Sequence, residues 1–211
     1  MKLFRHALLS IAIAAFSFLP ARAQDPQKQT GAVSLVAISD WLNGLKTARA
    51  KITQINPDGS ISTGILYIFR PGRMRFEYDP PNAGLVIAGG GSVAIFDFKS
   101  NEPPQEFPLR RTPLSVILAR KVDLASSGMI SDYKSDGVTT TIRARDPKRP
   151  EIGSIDLVFT NNPVELRQWV ITDEGGSRTT VILGQLQTGI ELPDSLFSVP
   201  LEMMKLNDND R

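Results

Sequence analysis

The chain has 211 residues, with 24 Lys+Arg against 22 Asp+Glu, one histidine (His6) and no cysteine, which excludes disulfide staples, most transition-metal sites and the Ser-His and Cys-His nucleophile systems. Lys2, Arg5 and Arg22 all fall in the first 23 residues, which hold no acid. Without that segment 21 basic residues face 22 acidic ones, and no bulk positive charge is left to bind nucleic acid by counterion release.

In chain order, the first 23 residues read as a secretory signal. Basic "MKLFRH" precedes the 13-residue apolar run "ALLSIAIAAFSFL" and the small-residue site "PARA", with cleavage expected after Ala23. The run is short for a membrane span, and no acylatable Cys stands near the site, so a soluble exported product is expected. Residues 24–32 are expected as a flexible N-terminus, 33–200 as a single domain and 201–211 as a flexible charged tail.

"VSLVAISDWLNGL" (33–45) predicts a short amphipathic helix. Leu35, Ile38, Leu42 and Leu45 fall at helical spacing, with Trp41 beside them and Gly44 as a stop signal. Strand signals follow in series. "ARAKITQI" turns at Asp58-Gly59 into "GILYIFR", and Pro71-Gly72 leads into "RMRFEYD". "GLVIA" and "SVAIFDF" flank Gly89-Gly90-Gly91, where no Lys-Ser/Thr follows to make a phosphate loop, so a hairpin is expected. "NEPPQEFPL" turns and resumes as a strand.

"TPLSVILAR" interrupts with a helical turn or two, Thr112 as its cap and Pro113 at its first position. "GVTTTIRAR", "SIDLVFT", "ELRQWVITDE" and "RTTVILGQLQT" complete about ten strands, and "LPDSLFSVP" closes the domain with a helical turn and an extended end. With no βαβ alternation, these elements predict a mainly β fold: one curved antiparallel sheet with short helices on one face.

Alternation assigns faces. In Arg73–Tyr78, Met74, Phe76 and Tyr78 share one face and Arg73, Arg75 and Glu77 the other, which is expected to be the wet one. In the preceding strand, Leu66, Ile68 and Arg70 alternate with Ile65, Tyr67 and Phe69. Both sets are apolar, and parity alone leaves the choice open. Arg70 is either a cation at the rim of an apolar concavity, which then needs carbonyl or carboxylate partners, or an exposed strand-end residue beside a turn.

The order of these pieces resembles the LolA family of periplasmic outer-membrane lipoprotein carriers. "GILYIFRPGRMRFEYDPPNAGLVIAGGGSVAIFD" is similar to the family's strand, Arg-Pro, short strand, hydrophobic strand, Gly turn and Phe-Asp strand. "TPLSVIL" resembles its Thr-Pro helix, "DEGGSRTTVIL" its Asp-x-x-Gly hairpin and "LFSVP" its Phe-x-x-Pro ending, together spanning about 33–200.

The resemblance implies an incomplete antiparallel β-barrel under a lid of helices, whose hydrophobic cavity takes the acyl chains of a lipoprotein. It implies that Leu66, Ile68, Met74, Phe76 and Tyr78 line the cavity. It also implies that Arg70 faces inward and latches the lid through the carbonyls of Leu42, Ile117 and Leu118. Met74 and Ala94 stand where the family often has bulkier residues; a methionine is pliable and suits a variable acyl ligand. The implied function is a non-enzymatic periplasmic carrier, a monomer with no cofactor and no metal. Its implied partners are an inner-membrane lipoprotein-releasing ABC transporter and an outer-membrane acceptor.

An alternative is a lipid-binding or sensory module on the same fold, taking another amphiphile such as a glycolipid, or a partner protein. A hydrolase is disfavoured by the lack of Cys and of any His beyond His6. Asp97, Asp173 and Glu174 read as turn or strand-end residues, and Trp41 and Trp169 as packing residues. The apolar positions alone do not distinguish a hollow interior from a filled core.

Overall fold

A computed structural model describes residues 31–82, 84–100 and 102–209. The expected signal, and most of the expected flexible N-terminus, lie outside the described residues. Helix α1 (Leu35–Gly44) opens the fold. Ser34 caps it, its hydroxyl accepting from the Ala37 N–H at 3.1 Å, and Leu45 ends it in an extended conformation.

Twelve strands then form a single antiparallel sheet. They are β1 (Thr47–Ile55), β2 (Ile61–Phe69), β3 (Arg73–Tyr78), β4 (Gly84–Gly89), β5 (Ser92–Asp97), β6 (Gln105–Pro108), β7 (Ile130–Ser135), β8 (Thr139–Ala144), β9 (Ser154–Asn161), β10 (Val164–Thr172), β11 (Arg178–Leu183) and the two-residue β12 (Gln187–Thr188). The spatial order is β6-β5-β4-β3-β2-β1-β11-β10-β9-β8-β7, with β12 on β1. The sheet curves without closing, leaving β6 and β7 as free edges, and a register irregularity between Leu166 and Gln168 interrupts the β10–β9 pairing. Gly90 and Gly91 supply the two positive φ angles of the tight β4–β5 turn, so the glycine run is a hairpin.

Between β6 and β7 lie a 3-10 turn (Leu109–Arg111) and α2 (Ser115–Leu118). Thr112 does not cap α2. Its hydroxyl donates to the Leu109 carbonyl at 2.9 Å, closing the preceding turn, and the helix begins after Leu114. Strand β7 escaped the sequence pattern because its "ISDYKS" run is an edge strand with little buried side chain.

Two apolar layers sandwich the sheet. The larger fills the concave face, where Ile38 and Leu42 of α1 and Val116, Ile117 and Leu118 of α2 pack on Leu66, Ile68, Met74, Leu157, Phe159 and Trp169. The smaller lies on the convex face. Residues 201–209, expected as part of a flexible tail, instead belong to α3 (Val199–Asn209), which follows a 3-10 turn (Asp194–Phe197). Val199, Met203 and Leu206 of α3 cover Leu85, Ile87, Ala94 and Phe96.

The expected wet face of β3 is therefore partly dry. Arg75 is buried, its Nε donating to Glu77 at 2.6 Å and its Nη1 to the Leu196 carbonyl at 3.0 Å and to Glu202 of α3 at 3.2 Å.

Gly89 lets the Asp194–Phe197 turn sit directly on the sheet as a strap, since a Cβ there would stand 2.2 Å from the Phe197 carbonyl oxygen. Gly89→Ala is expected to push the 3-10 turn off β4 and destabilise the protein by about 1–3 kcal/mol, the usual cost of overpacking a tight contact. Urea unfolding of the two proteins checks this, and an unchanged midpoint would mean that the strap is not packed against β4.

Candidate functional site

The β2–β3 register settles the orientation of Arg70. Leu66 pairs with Phe76 and Ile68 with Met74, and directly opposed residues share a face. Leu66, Ile68, Met74 and Phe76 thus form one concave wall, and Arg70 continues the row of Leu66 and Ile68 into the β2–β3 turn. Its side chain is only 5% exposed.

The guanidinium joins two helix ends. Its Nη2 donates to the Ala119 carbonyl at 2.6 Å and its Nη1 to the Leu45 carbonyl at 3.4 Å. Leu45 and Ala119 are the residues on which α1 and α2 end. Both have non-helical backbones there, so their carbonyls no longer run along the helix axes and are left without helical donors. The resemblance implied Leu42, Ile117 and Leu118 as acceptors. Those residues are buried within α1 and α2, but Arg70 bonds to neither Leu42 nor Ile117, and the Leu118 carbonyl accepts instead from the Gly72 N–H at 2.9 Å. Burial holds the Arg70 guanidinium below its ordinary pKa.

Sequence reasoning missed the ties within the lid. The Asn43 amide clamps Val122 at both backbone atoms, donating to its carbonyl at 2.8 Å and accepting from its N–H at 2.9 Å. The Ser39 hydroxyl donates to Leu35 at 2.6 Å and accepts from the Leu124 N–H at 3.0 Å. These bonds join α1 to the segment after α2, so the helices form one cover. Ser39 and Asn43 are polar positions in an amphipathic helix, and no spacing marks them as anything more.

Beneath the cover the interior is filled. Leu66, Ile68 and Met74 have no exposure, so no water-sized void borders them, and Phe76 is 5% exposed. Phe76 stacks on Tyr78 with centroids 6.1 Å apart and meets Trp169 edge-on at 6.2 Å, while Trp41 of α1 meets Phe159 edge-on at 5.4 Å. Among the described residues, two buried side-chain donors have no acceptor, Arg70 Nε and Trp169 Nε1.

Cavities flank the packed region. One of about 440 Å³ opens at the sheet end away from Arg70, where Gln54, Ser62, Tyr78, Val86 and Ile95 line it. Another of about 250 Å³ lies in the lid, bordered by Val116, Ala119, Val122, Leu124 and Met129. The Tyr78 hydroxyl donates to Gln54 at 2.7 Å, and burial pushes its pKa from 10.0 up to about 12.

The acids hold turns. Asp97 accepts from the Lys99 N–H, and Asp173 from the N–H groups of Gly175 and Ser177. Among the described residues no group of three or more acids is arranged to hold a metal ion, and no helix is long and apolar enough to cross a membrane.

The family model described as outer membrane lipoprotein carrier protein LolA matches residues 43–200. Among curated proteins, the chain is similar to outer-membrane lipoprotein carrier proteins from two bacteria. That of Azotobacter vinelandii is 27% identical over 209 residues, covering 93% of this chain and 91% of the relative. That of Coxiella burnetii is 26% identical over 169 residues, covering 76% and 79%. Among solved structures, a putative outer membrane lipoprotein-sorting protein domain from Vibrio parahaemolyticus aligns at TM-score 0.48 and 10% identity, over 79% of this chain and 96% of that one. A LolA superfamily protein from Nitrosomonas europaea aligns at TM-score 0.43 and 10% identity, over 80% and 99%.

Tyr78 allows the packing at the open end to be tested by pH. The phenol is neutral when protonated, and the folded state holds that proton more tightly than the unfolded chain does. Its contribution to stability is complete below pH 10 and falls away as pH rises from 10 towards 12, by about 2–3 kcal/mol in all. Tyr78→Phe is expected to unfold at a denaturant concentration that declines less over this range. Equal declines for the two proteins would show that the phenol titrates normally.

Proposed function

Because the chain belongs to the LolA family, we propose that it is a periplasmic carrier that takes the acyl chains of lipoproteins against its concave sheet and ferries them from inner to outer membrane. On this proposal the signal is cleaved after Ala23 and the protein works as a monomer. An inner-membrane lipoprotein-releasing ABC transporter hands over the cargo and an outer-membrane acceptor takes it. The carrier does no chemistry on the cargo and needs no cofactor.

The observation that carries the proposal is Arg70. A buried cation holding the ends of two helices over an apolar sheet face is an arrangement that keeps a cover shut without greasy contacts alone. A plain structural core gains nothing from it, because apolar residues of similar volume would fill the space at lower desolvation cost.

In the mechanism we propose, the structure is the closed, unloaded state. Incoming acyl chains part the lid, break the Arg70 bonds to Leu45 and Ala119, and pack on Leu66, Ile68, Met74, Phe76 and Tyr78. Each CH₂ withdrawn from water contributes roughly 0.8 kcal/mol. Against this stand the lost bonds to a charged donor, about 1.5–3 kcal/mol each when well formed. Those bonds are regained when the cargo leaves, so the latch lowers affinity and speeds release.

Arg70→Leu is therefore expected to bind a lipoprotein's acyl chains roughly tenfold more tightly or better and to release them correspondingly slowly to acceptor membranes. Arg70→Lys is expected to fall in between, since an ammonium cannot hold both carbonyls in one planar fork. Transfer assays with purified protein check both, and release from Arg70→Leu at the wild-type rate would remove Arg70 from the mechanism. A mature N-terminus at Gln24, found by sequencing the exported protein, checks the processing step.

A further inference from the structure

Resting on the carrier proposal, we infer that Trp169 is the polar contact of the concave site, its indole N–H donating to the ester or amide carbonyl that joins an acyl chain to the rest of the ligand. Trp169 has no solvent exposure, and its Nε1 has no acceptor. Buried indole N–H groups usually find a partner, and one left unmet carries the full cost of its desolvation. A phenylalanine would fill an apolar interior without that cost, so the donor calls for an acceptor that is absent from the unloaded protein.

The polar side chain in Trp169's own row, Gln54, is already engaged. Trp169 pairs with Leu157 on one side and Val181 on the other, and Val181 pairs in turn with Gln54, so Gln54, Val181 and Trp169 stand in one row of the concave face. The Gln54 Oε1 already accepts from the Tyr78 hydroxyl, and the Gln54 amide donates to Asn56 at 2.7 Å. The Phe76 ring stands nearly perpendicular to the indole, at an interplanar angle of 84°.

An acyl chain is all hydrocarbon up to its linkage, whose carbonyl oxygen is an acceptor. Indole is a donor only. The two are complementary, and an alkyl ether, a much weaker acceptor, is not. Trp169 thus makes the site selective for acylated over merely alkylated amphiphiles and sets how far along the sheet the linkage rests.

The test compares a synthetic lipopeptide bearing two ester-linked palmitoyl chains with the same peptide bearing two ether-linked hexadecyl chains. Wild type is expected to bind the diester about fivefold to tenfold more tightly, the range of one neutral hydrogen bond to a donor otherwise left unpaired. Trp169→Phe is expected to bind both alike. If that variant folds poorly, replacement of Trp169 by benzothienylalanine in a Trp41→Phe chain drops the N–H and keeps the ring shape, and it is expected to erase the ratio too. A wild-type ratio near one, or a ratio that survives both changes at Trp169, overturns the assignment and leaves the carrier proposal standing. Failure of wild type to bind either lipopeptide removes the carrier proposal and this inference together.

Discussion

The fold turns on the mutual need of one buried cation and two helix ends. A guanidinium taken out of water must find acceptors, and helices that end over an apolar sheet must find donors for their last carbonyls. Arg70 answers both needs at the β2–β3 turn, where its backbone N–H also bonds to Lys46 and the Gly72 N–H to Leu118. The turn, the end of α1 and the end of α2 are thereby one assembly. Arg70 leaves its own Nε unmet, so the fold does not satisfy every polar group it buries.

The two faces of the sheet are supported differently. On the convex face, α3 seals Leu85, Ile87, Ala94 and Phe96 and is pinned by the pairing of buried Arg75 with Glu202. Strands β4 and β5 thus keep packed side chains that owe nothing to α1 or α2. On the concave face the cover is attached to the sheet at its rim through Arg70 and held together by Ser39 and Asn43. Bonds of this kind are directional and few, whereas apolar contact is spread over every side chain beneath. An element held by apolar contact and a few polar links can separate as a unit once those links are exchanged for a ligand's contacts.

Much of this was legible in the sequence, with limits that have physical causes. Alternation placed Met74 and Phe76 inward correctly because their strand carries charges on its other face. It left the preceding strand open because both of its faces are apolar, and only the pairing of Ile68 with Met74 resolves it. Arg75 reads as wet because its strand face is charged, and the segment that covers it, α3, reads as a tail. Its charged residues hide Val199, Met203 and Leu206, spaced to face one side. The acceptors of Arg70 fell one to three residues from those expected, at the points where the helices stop. Backbone carbonyls carry no residue signature, and helix ends are the least certain part of any pattern. Nor can composition reveal that Trp169 lacks a partner.

The filled interior bears on how a site of this kind can work. A permanently hollow apolar cavity forfeits the contacts of its lining, at a cost that grows with its volume. Here Leu66, Ile68 and Met74 are instead covered by side chains of the lid, so no such cost is borne at rest. On the carrier proposal, the space for a ligand is made when the ligand arrives, and lid and acyl chain compete for the same wall. Net affinity is then the difference between two similar apolar contacts, shifted by the polar groups each state satisfies. The closed state satisfies Leu45 and Ala119 through Arg70. The loaded state, by the inference above, satisfies Trp169. Arg70 and Trp169 therefore pull the same equilibrium in opposite directions, and the balance between them, more than the size of the apolar wall, decides how readily cargo is exchanged.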